Sequence, residues 1–255
     1  MAVSDRQRVE LFHLLFLRQL STGADRTRFS VKGGCNLRFF FGSIRYSEDL
    51  DLDVLEMPRG TLKNKVDRLL EAPALLLPLR AQGIAVEDVS APKQTDTTQR
   101  WKLGLRRPGG SVPLRTKVEF SRRGAETDRE RAAEPIDAAV ARAHGIPPPV
   151  LQHYLAPAAL RQKIQALLGR PQTQARDLFD LQLLRARMPQ LPQLDSDLRS
   201  RLPGAIERAL SLSYDDYLGQ VVAFLDPEQG TPFRDRAAWD AMQLQVVELL
   251  EELGR

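Results

Sequence analysis

Two hydrophobic rhythms divide the chain. Over residues 5–20 (DRQRVELFHLLFLRQL), Val9, Phe12, Leu15, Phe16 and Leu20 recur at helical spacing and predict an amphipathic helix. His13 falls inside it and reads as a packing or surface residue. The rhythm then changes: Leu50, Leu52 and Val54 alternate with Asp49, Asp51 and Asp53, which is the period of a strand. That alternation puts the leucines toward a core and the acids together on the opposite face. Helical spacing returns over 61–80, where Pro73 kinks or splits the helix. Strands are expected at 84–89, 100–106 and 114–120, the last two joined by a hairpin turn at Gly109-Gly110. The charge-dense stretch 121–131, which contains Gly124, reads as a mobile loop. Pro147-Pro148-Pro149 is a stiff break and the expected boundary. Everything beyond it reads as helical, with helices at 156–168 and 174–187. A closing helix at 237–253 packs through Trp239, Met242, Leu244, Val246, Val247 and Leu250. Tyr214, Asp215, Asp216 and Tyr217 form a polar–aromatic cluster to which no chemistry attaches. The expected class is α+β, with a sheet-containing domain over 1–146 and a mainly helical domain over 147–255.

Composition adds limits. The chain has 255 residues, 42% hydrophobic and 27% charged, with a formal charge of +4 and a pI near 9.4. That mild basic excess is compatible with a nucleic-acid partner without establishing one. A single cysteine excludes an internal disulfide and a thiolate zinc site, and Cys35 reads as a small buried residue. Charges interrupt the apolar residues of the first twenty positions, so no signal-peptide pattern is present. No apolar run reaches the roughly 20 residues a membrane helix needs. A soluble, cytoplasmic protein with no membrane partner is expected.

The candidate chemistry sits between Phe29 and Asp53 (FSVKGGCNLRFFFGSIRYSEDLDLD). Carboxylates that share a strand face repel unless a cation joins them, and Mg²⁺ prefers carboxylate oxygens together with substrate phosphates. The alternative is a solvated acidic strand face. Upstream, Gly33 and Gly34 let backbone N–H groups approach an anion. The segment after them can open a helix whose N-terminus favours phosphate. A phosphate cradle and a carboxylate pair this close together make a nucleotide-phosphate site. In the strand 114–120, Lys117 and Glu119 face one way while Val118 and Phe120 face the other; the alternative reading is an exposed Lys/Glu pair. Arg176 and Asp180 are four apart on a helix and read, taken alone, as an exposed ion pair.

The stretch Lys32-Gly33-Gly34-Cys35-Asn36-Leu37-Arg38, followed by Gly42-Ser43 and by Arg45-Tyr46-Ser47-Glu48-Asp49-Leu50-Asp51, resembles the signature of the AbiEii/AbiGii-type (MenT-like) nucleotidyltransferase toxins. These are a branch of the DNA polymerase β-like nucleotidyltransferases. A second segment, Lys163, Ala166, Leu167, Arg170, then Ala175-Arg176-Asp177-Leu178 with Asp180 and Leu181, resembles the downstream signature of the same family. The likeness covers about 31–184. It implies a nucleotidyltransferase-type mixed sheet and transfer of a nucleoside monophosphate from a nucleoside triphosphate, with release of pyrophosphate. It implies Mg²⁺, with Mn²⁺ as the substitute, held by Asp49, Asp51 and Glu119, and catalytic roles for these acids with Lys163 and Asp180. Gly33, Gly34, Ser43, Arg45, Ser47, Lys163 and Arg176 would meet the nucleotide, with Lys32, Arg38, Arg170 and Asp177 as further candidates. Whether Asp177 or Asp180 is the functional acid stays open. The likeness also implies an RNA acceptor, the tRNA 3′ end, a block on translation, and a cognate antitoxin encoded nearby. A small-molecule (antibiotic-type) nucleotidyltransferase, or a nucleotide-binding protein without transfer activity, would carry the same site.

Overall fold

The computed structural model describes residues 3–22, 27–122, 130–226 and 228–255. It separates into two compact units, one of residues 1–40 and 46–154, the other of residues 41–45 and 155–255.

In the first unit, α1 (Asp5–Leu20) begins at a capping box in which Ser4 and Gln7 satisfy each other's backbone N–H groups. The chain then forms β1 (Phe29–Lys32), α2 (Gly33–Phe40) and β2 (Leu50–Val54). Next come α3 (Arg59–Glu71) and α4 (Pro73–Ala81). Pro73 therefore splits the expected long helix, sitting in the first turn of the second half, where a missing N–H is harmless. Strands β3 (Ala85–Gln94), β4 (Thr98–Arg106) and β5 (Leu114–Ser121) complete the expected set. Beyond them lie β6 (Arg131–Pro135), α5 (Ala138–Ala143) and β7 (Val150–Tyr154). The seven strands form one mixed sheet in the order β3-β4-β5-β2-β1-β7-β6. Pairs β2–β5 and β1–β7 are parallel and the rest antiparallel.

The expectation that everything after the triple proline is helical fails at β7. Its five residues, VLQHY, carry no polar–apolar alternation, because apolar Val150 is exposed while polar His153 is buried beside Asn36. Of the expected loop at 121–131, residues 123–129 lie outside the described residues, and its two ends belong to β5 and β6.

The apolar face of the sheet forms one core with the helices. Phe12, Phe16, Leu62, Val66, Leu75 and Leu79 join Leu50, Leu52, Trp101, Leu103, Val118 and Phe120, all almost wholly buried. His13 lies in this core, hydrogen-bonded to Thr116 (2.8 Å), and burial lowers its pKa to about 4. It is a neutral packing residue. Cys35 is likewise buried, with its thiol pushed well above the ordinary range by that burial.

The second unit consists of α6 (Ala156–Gly169), α7 (Ala175–Ala186), α8 (Ser196–Ser200), α9 (Leu202–Leu210), α10 (Tyr214–Gln220) and α11 (Arg236–Gly254). Leu160, Ile164, Leu167, Leu178, Leu181, Leu184, Trp239, Met242, Val246 and Leu250 fill its core, whereas Leu244 points to solvent. The polar–aromatic cluster at 214–217 is structural. Ser213 and Asp216 form a capping box, and Tyr217 stacks on Trp239 with ring centroids 5.0 Å apart. The α+β class, mixed sheet and helical C-terminal part agree with the sequence reading. No described helix is long and apolar enough to cross a membrane.

Candidate active site

The face of the sheet opposite the core carries charge in rows that run across strands. Strand register puts Lys32 of β1, Asp51 of β2, Glu119 of β5 and Arg100 of β4 side by side. Arg100 bonds Glu119 at 2.5 Å. Asp49 lies one residue before β2, and its carboxylate meets Lys117 of β5 at 2.9 Å. Asp53, the third acid of the alternation, is buried, held by Lys32 (2.5 Å) and by the Tyr154 hydroxyl (2.8 Å). The expected gathering of acids on one face is thus present, with Asp49 at the strand's entrance and each neighbour of Asp51 matched to a cation.

Asp51 differs from the others. Among the described residues its carboxylate accepts no hydrogen bond and makes no ion pair. Burial pushes its pKa up; Lys117 works against that, and the nearby Asp49 and Glu119 reinforce it. Lys117 shows the complementary effect. Burial opposes its charge, but Asp51 and Asp49 outweigh it and raise its pKa.

Gly33 explains how the backbone comes so close. It has φ +65°, and a Cβ built on it would lie 3.1 Å from Asp51 Oδ2. Only glycine adopts that conformation without strain while leaving the carboxylate its room. Gly33 and Gly34 open α2, so the helix N-terminus begins beside Asp51. Ser47 half-faces solvent and donates its hydroxyl to the Asp49 carbonyl (2.9 Å).

Among the described residues, no group of three His, Cys, Asp or Glu stands ready around a metal ion. The donor chemistry nevertheless suits a hard divalent cation. Asp49, Asp51 and Glu119 offer carboxylate oxygens only, on neighbouring strands, and the central one has no partner. A cation there has to displace Lys117 from Asp49 and Arg100 from Glu119.

In the second unit, a buried ionic cluster ties the loop 41–45 to the helices. Arg45 bonds both oxygens of Asp180 (3.2 and 3.1 Å), and Lys163 reaches the same carboxylate at 2.5 Å. Lys163 also meets Asp177 at 3.2 Å, and Arg170 meets Asp177 at 2.8 Å. Both aspartates are fully buried. Burial alone would raise Asp180, but Arg45 and Lys163 hold it below its ordinary value. The helical spacing suggests Arg176 as the partner of Asp180. Instead Arg176 is half-exposed and, among the described residues, unpaired. Its side chain is free to meet a ligand. Ser43 is buried and its hydroxyl accepts from the Arg45 N–H at 3.2 Å. Arg38 is committed elsewhere: it bonds the buried Glu10 at 2.6 Å and lies 4.4 Å over the Tyr46 ring.

Sequence reasoning leaves three residues of the acidic face without a place: Lys117 as partner of Asp49, Arg100 as partner of Glu119, and Tyr154 as partner of Asp53. The alternation of basic and apolar residues in 100–106 carries a signal for Arg100. Tyr154 carries none, because it lies on an unrecognised strand.

The first unit thus carries carboxylates at the start of β2 and on β5 of a mixed sheet, beside a glycine turn that opens a helix. The family model described as the nucleotidyl transferase AbiEii toxin of type IV toxin–antitoxin systems matches residues 15–252, and the chain belongs to that family. The protein is accordingly a nucleotidyltransferase toxin, with a nucleoside triphosphate substrate and a cognate antitoxin implied by the family. No curated protein matches the chain. Its fold is similar to that of JHP933 from Helicobacter pylori (22% identity, TM-score 0.61, covering 98% of this chain and 96% of that one). It is also similar to MenT4, a nucleotidyltransferase toxin of Mycobacterium tuberculosis (19% identity, TM-score 0.57, covering 98% and 92%).

Proposed function

We propose that the protein transfers a nucleoside monophosphate from a nucleoside triphosphate to an RNA acceptor, the tRNA 3′ end, and so blocks translation. In this reaction an acceptor hydroxyl oxygen bonds to the α-phosphorus, the bond to the β-phosphate oxygen breaks, and pyrophosphate leaves. In this reading the sheet-bearing first unit is the catalytic domain, and residues 155–255 supply the helical domain. Asp49, Asp51 and Glu119 would hold Mg²⁺, for which Mn²⁺ would substitute, and a bound metal would neutralise charge on the attacking and leaving oxygens.

The chain's own residues do the rest. Glu119 accepts the proton of the attacking hydroxyl. Gly33 and Gly34 offer backbone N–H groups to the triphosphate, and Ser43 and Ser47 offer hydroxyls. Arg176, with Arg45 and Lys163, offsets charge on the departing pyrophosphate. Asp180 holds Arg45 and Lys163 in place, and Asp177 steadies Lys163 and Arg170; these acids position cations and do not touch phosphate. Lys32, through Asp53, and Arg38, through Glu10, act as structural charges.

The unpartnered Asp51 carboxylate, crowded by Gly33 and flanked by Glu119, carries this reading. Folding leaves a half-buried acid without a partner only at a cost, which a bound cation would remove. The test of the finer claim is aminoacylation. Total tRNA incubated with the protein, Mg²⁺ and triphosphates is expected to lose its capacity to accept amino acids, and Asp51→Asn protein is expected to leave it intact. Undiminished aminoacylation after treatment with active wild-type protein would remove tRNA as the acceptor.

A further inference from the structure

One row along from Asp51 and Glu119, the same sheet face holds two like charges opposite each other. Lys102 of β4 and Lys117 of β5 are directly paired in the register, and Ser90 of β3 is paired with Lys102. Like charges facing each other across strands oppose folding, so a persistent pair points to an anion. Lys117 has Asp49 on its other side, but Lys102 is exposed and, among the described residues, meets no acid. These residues line a cleft of about 500 Å³ within the first unit. Its wall also includes Asp49, Thr116 and the pair Arg115–Asp88 (3.2 Å).

We infer that Lys102 and Lys117, with the Ser90 hydroxyl, form a phosphate subsite for the acceptor strand, binding a backbone phosphodiester of the nucleic acid that receives the nucleotide. This rests on the reading that the acceptor is RNA. Two residues along a strand span about 6.6–6.8 Å, so the lysine row lies one short step from the Glu119 row. A hydroxyl presented to Glu119 therefore leaves the neighbouring phosphate over Lys102 and Lys117. The triphosphate is the other source of phosphate, but Gly33 and Gly34 lie on the opposite side of Asp51 from β5.

The test uses the full chain with Mn²⁺ and a fluorescein-labelled single-stranded oligoribonucleotide ending in CCA, read by anisotropy across a salt series. Lys102→Ala is expected to weaken the oligonucleotide about 3- to 10-fold. Each phosphate contact on a single strand contributes about 0.7 to the slope of log affinity against log salt, and the slope should fall by about that amount. Lys102→Glu should weaken it further, Lys102→Arg should retain it, and triphosphate affinity should be unchanged throughout. Lys102 is exposed, and unchanged melting temperatures would show that the variants fold. Loss of triphosphate affinity with unchanged oligonucleotide binding would move the lysines to the donor and overturn the proposal. Unchanged affinity and slope for both ligands, with transfer to tRNA intact, would overturn the subsite while leaving the RNA acceptor standing. Wild-type protein that binds triphosphate but not the oligonucleotide, and transfers only to another acceptor, would overturn both.

Discussion

Removing Asp180 separates the two ways in which a residue of this protein can be essential. The carboxylate is fully buried between Arg45, 5% exposed, and Lys163, 9% exposed. Asp180→Ala leaves those largely buried cations short of a counter-charge. Breaking a buried ion pair from one side costs about 3–5 kcal/mol. At about 2–4 °C per kcal/mol for a chain of this size, the melting temperature should fall by roughly 6–20 °C. Arg176 is the control. It lies one turn away on the same helix, is unpaired among the described residues, and Arg176→Ala should change stability by no more than about 0.5 kcal/mol. Both variants should lose transfer activity, Asp180→Ala through collapse of the cluster and Arg176→Ala through weaker triphosphate binding. Calorimetry and a triphosphate titration on each variant read the two effects apart. The sign of the pH dependence gives a further check. Asp180 is held below its ordinary value of 3.8, so its contribution is present above that pH and lost as pH falls through the folded value. The gap between wild type and Asp180→Ala should therefore narrow below about pH 4. An Asp180→Ala protein melting within about 2 °C of wild type at neutral pH would refute the reasoning.

Asp51→Asn should do the reverse: raise the melting temperature of the metal-free protein at neutral pH while abolishing transfer. A carboxyl with a raised folded pKa favours the fold in its protonated form, so the gain should be absent in acid and open as pH rises above 3.8, which melting curves across pH 4–8 would follow. Gly33→Ala forces a left-handed backbone costing roughly 1–2 kcal/mol and sets a methyl 3.1 Å from Asp51 Oδ2. Steady-state kinetics should show transfer reduced by about tenfold or more, beyond what the stability change explains. Ser47→Glu removes the bond to the Asp49 carbonyl and adds negative charge beside the carboxylates. Transfer should fall at least about tenfold, and a fully active variant would contradict a place for Ser47 beside the metal-holding carboxylates.

Much of the acidic face is legible in the sequence because strand period alone dictates it. Leu50, Leu52 and Val54 need a core, so Asp51 and Asp53 must face away from it. Gly33 is legible as a turn, though not as the residue that makes room for Asp51, since that depends on the register of β1 with β2. What the sequence hides is pairing at long range. Helical spacing suggests Arg176 for Asp180, yet a buried carboxylate needs full compensation, and Arg45, 135 residues away, supplies it with Lys163. Strand β7 is missed for a related reason. Val150 at an exposed position and His153 at a buried one hide the alternation that marks a half-exposed strand.

The central claim is that the row around Asp51 transfers a nucleotide in a metal-dependent step. Its most direct test is transfer of label from each α-³²P-labelled nucleoside triphosphate to total tRNA with Mg²⁺, for wild type, Asp49→Ala and Asp51→Ala. The account predicts label on tRNA with wild-type protein, none with either variant and none after chelation, with the best-used triphosphate giving the base preference. Label that persists in Asp51→Ala protein, or in the presence of chelator, would contradict it.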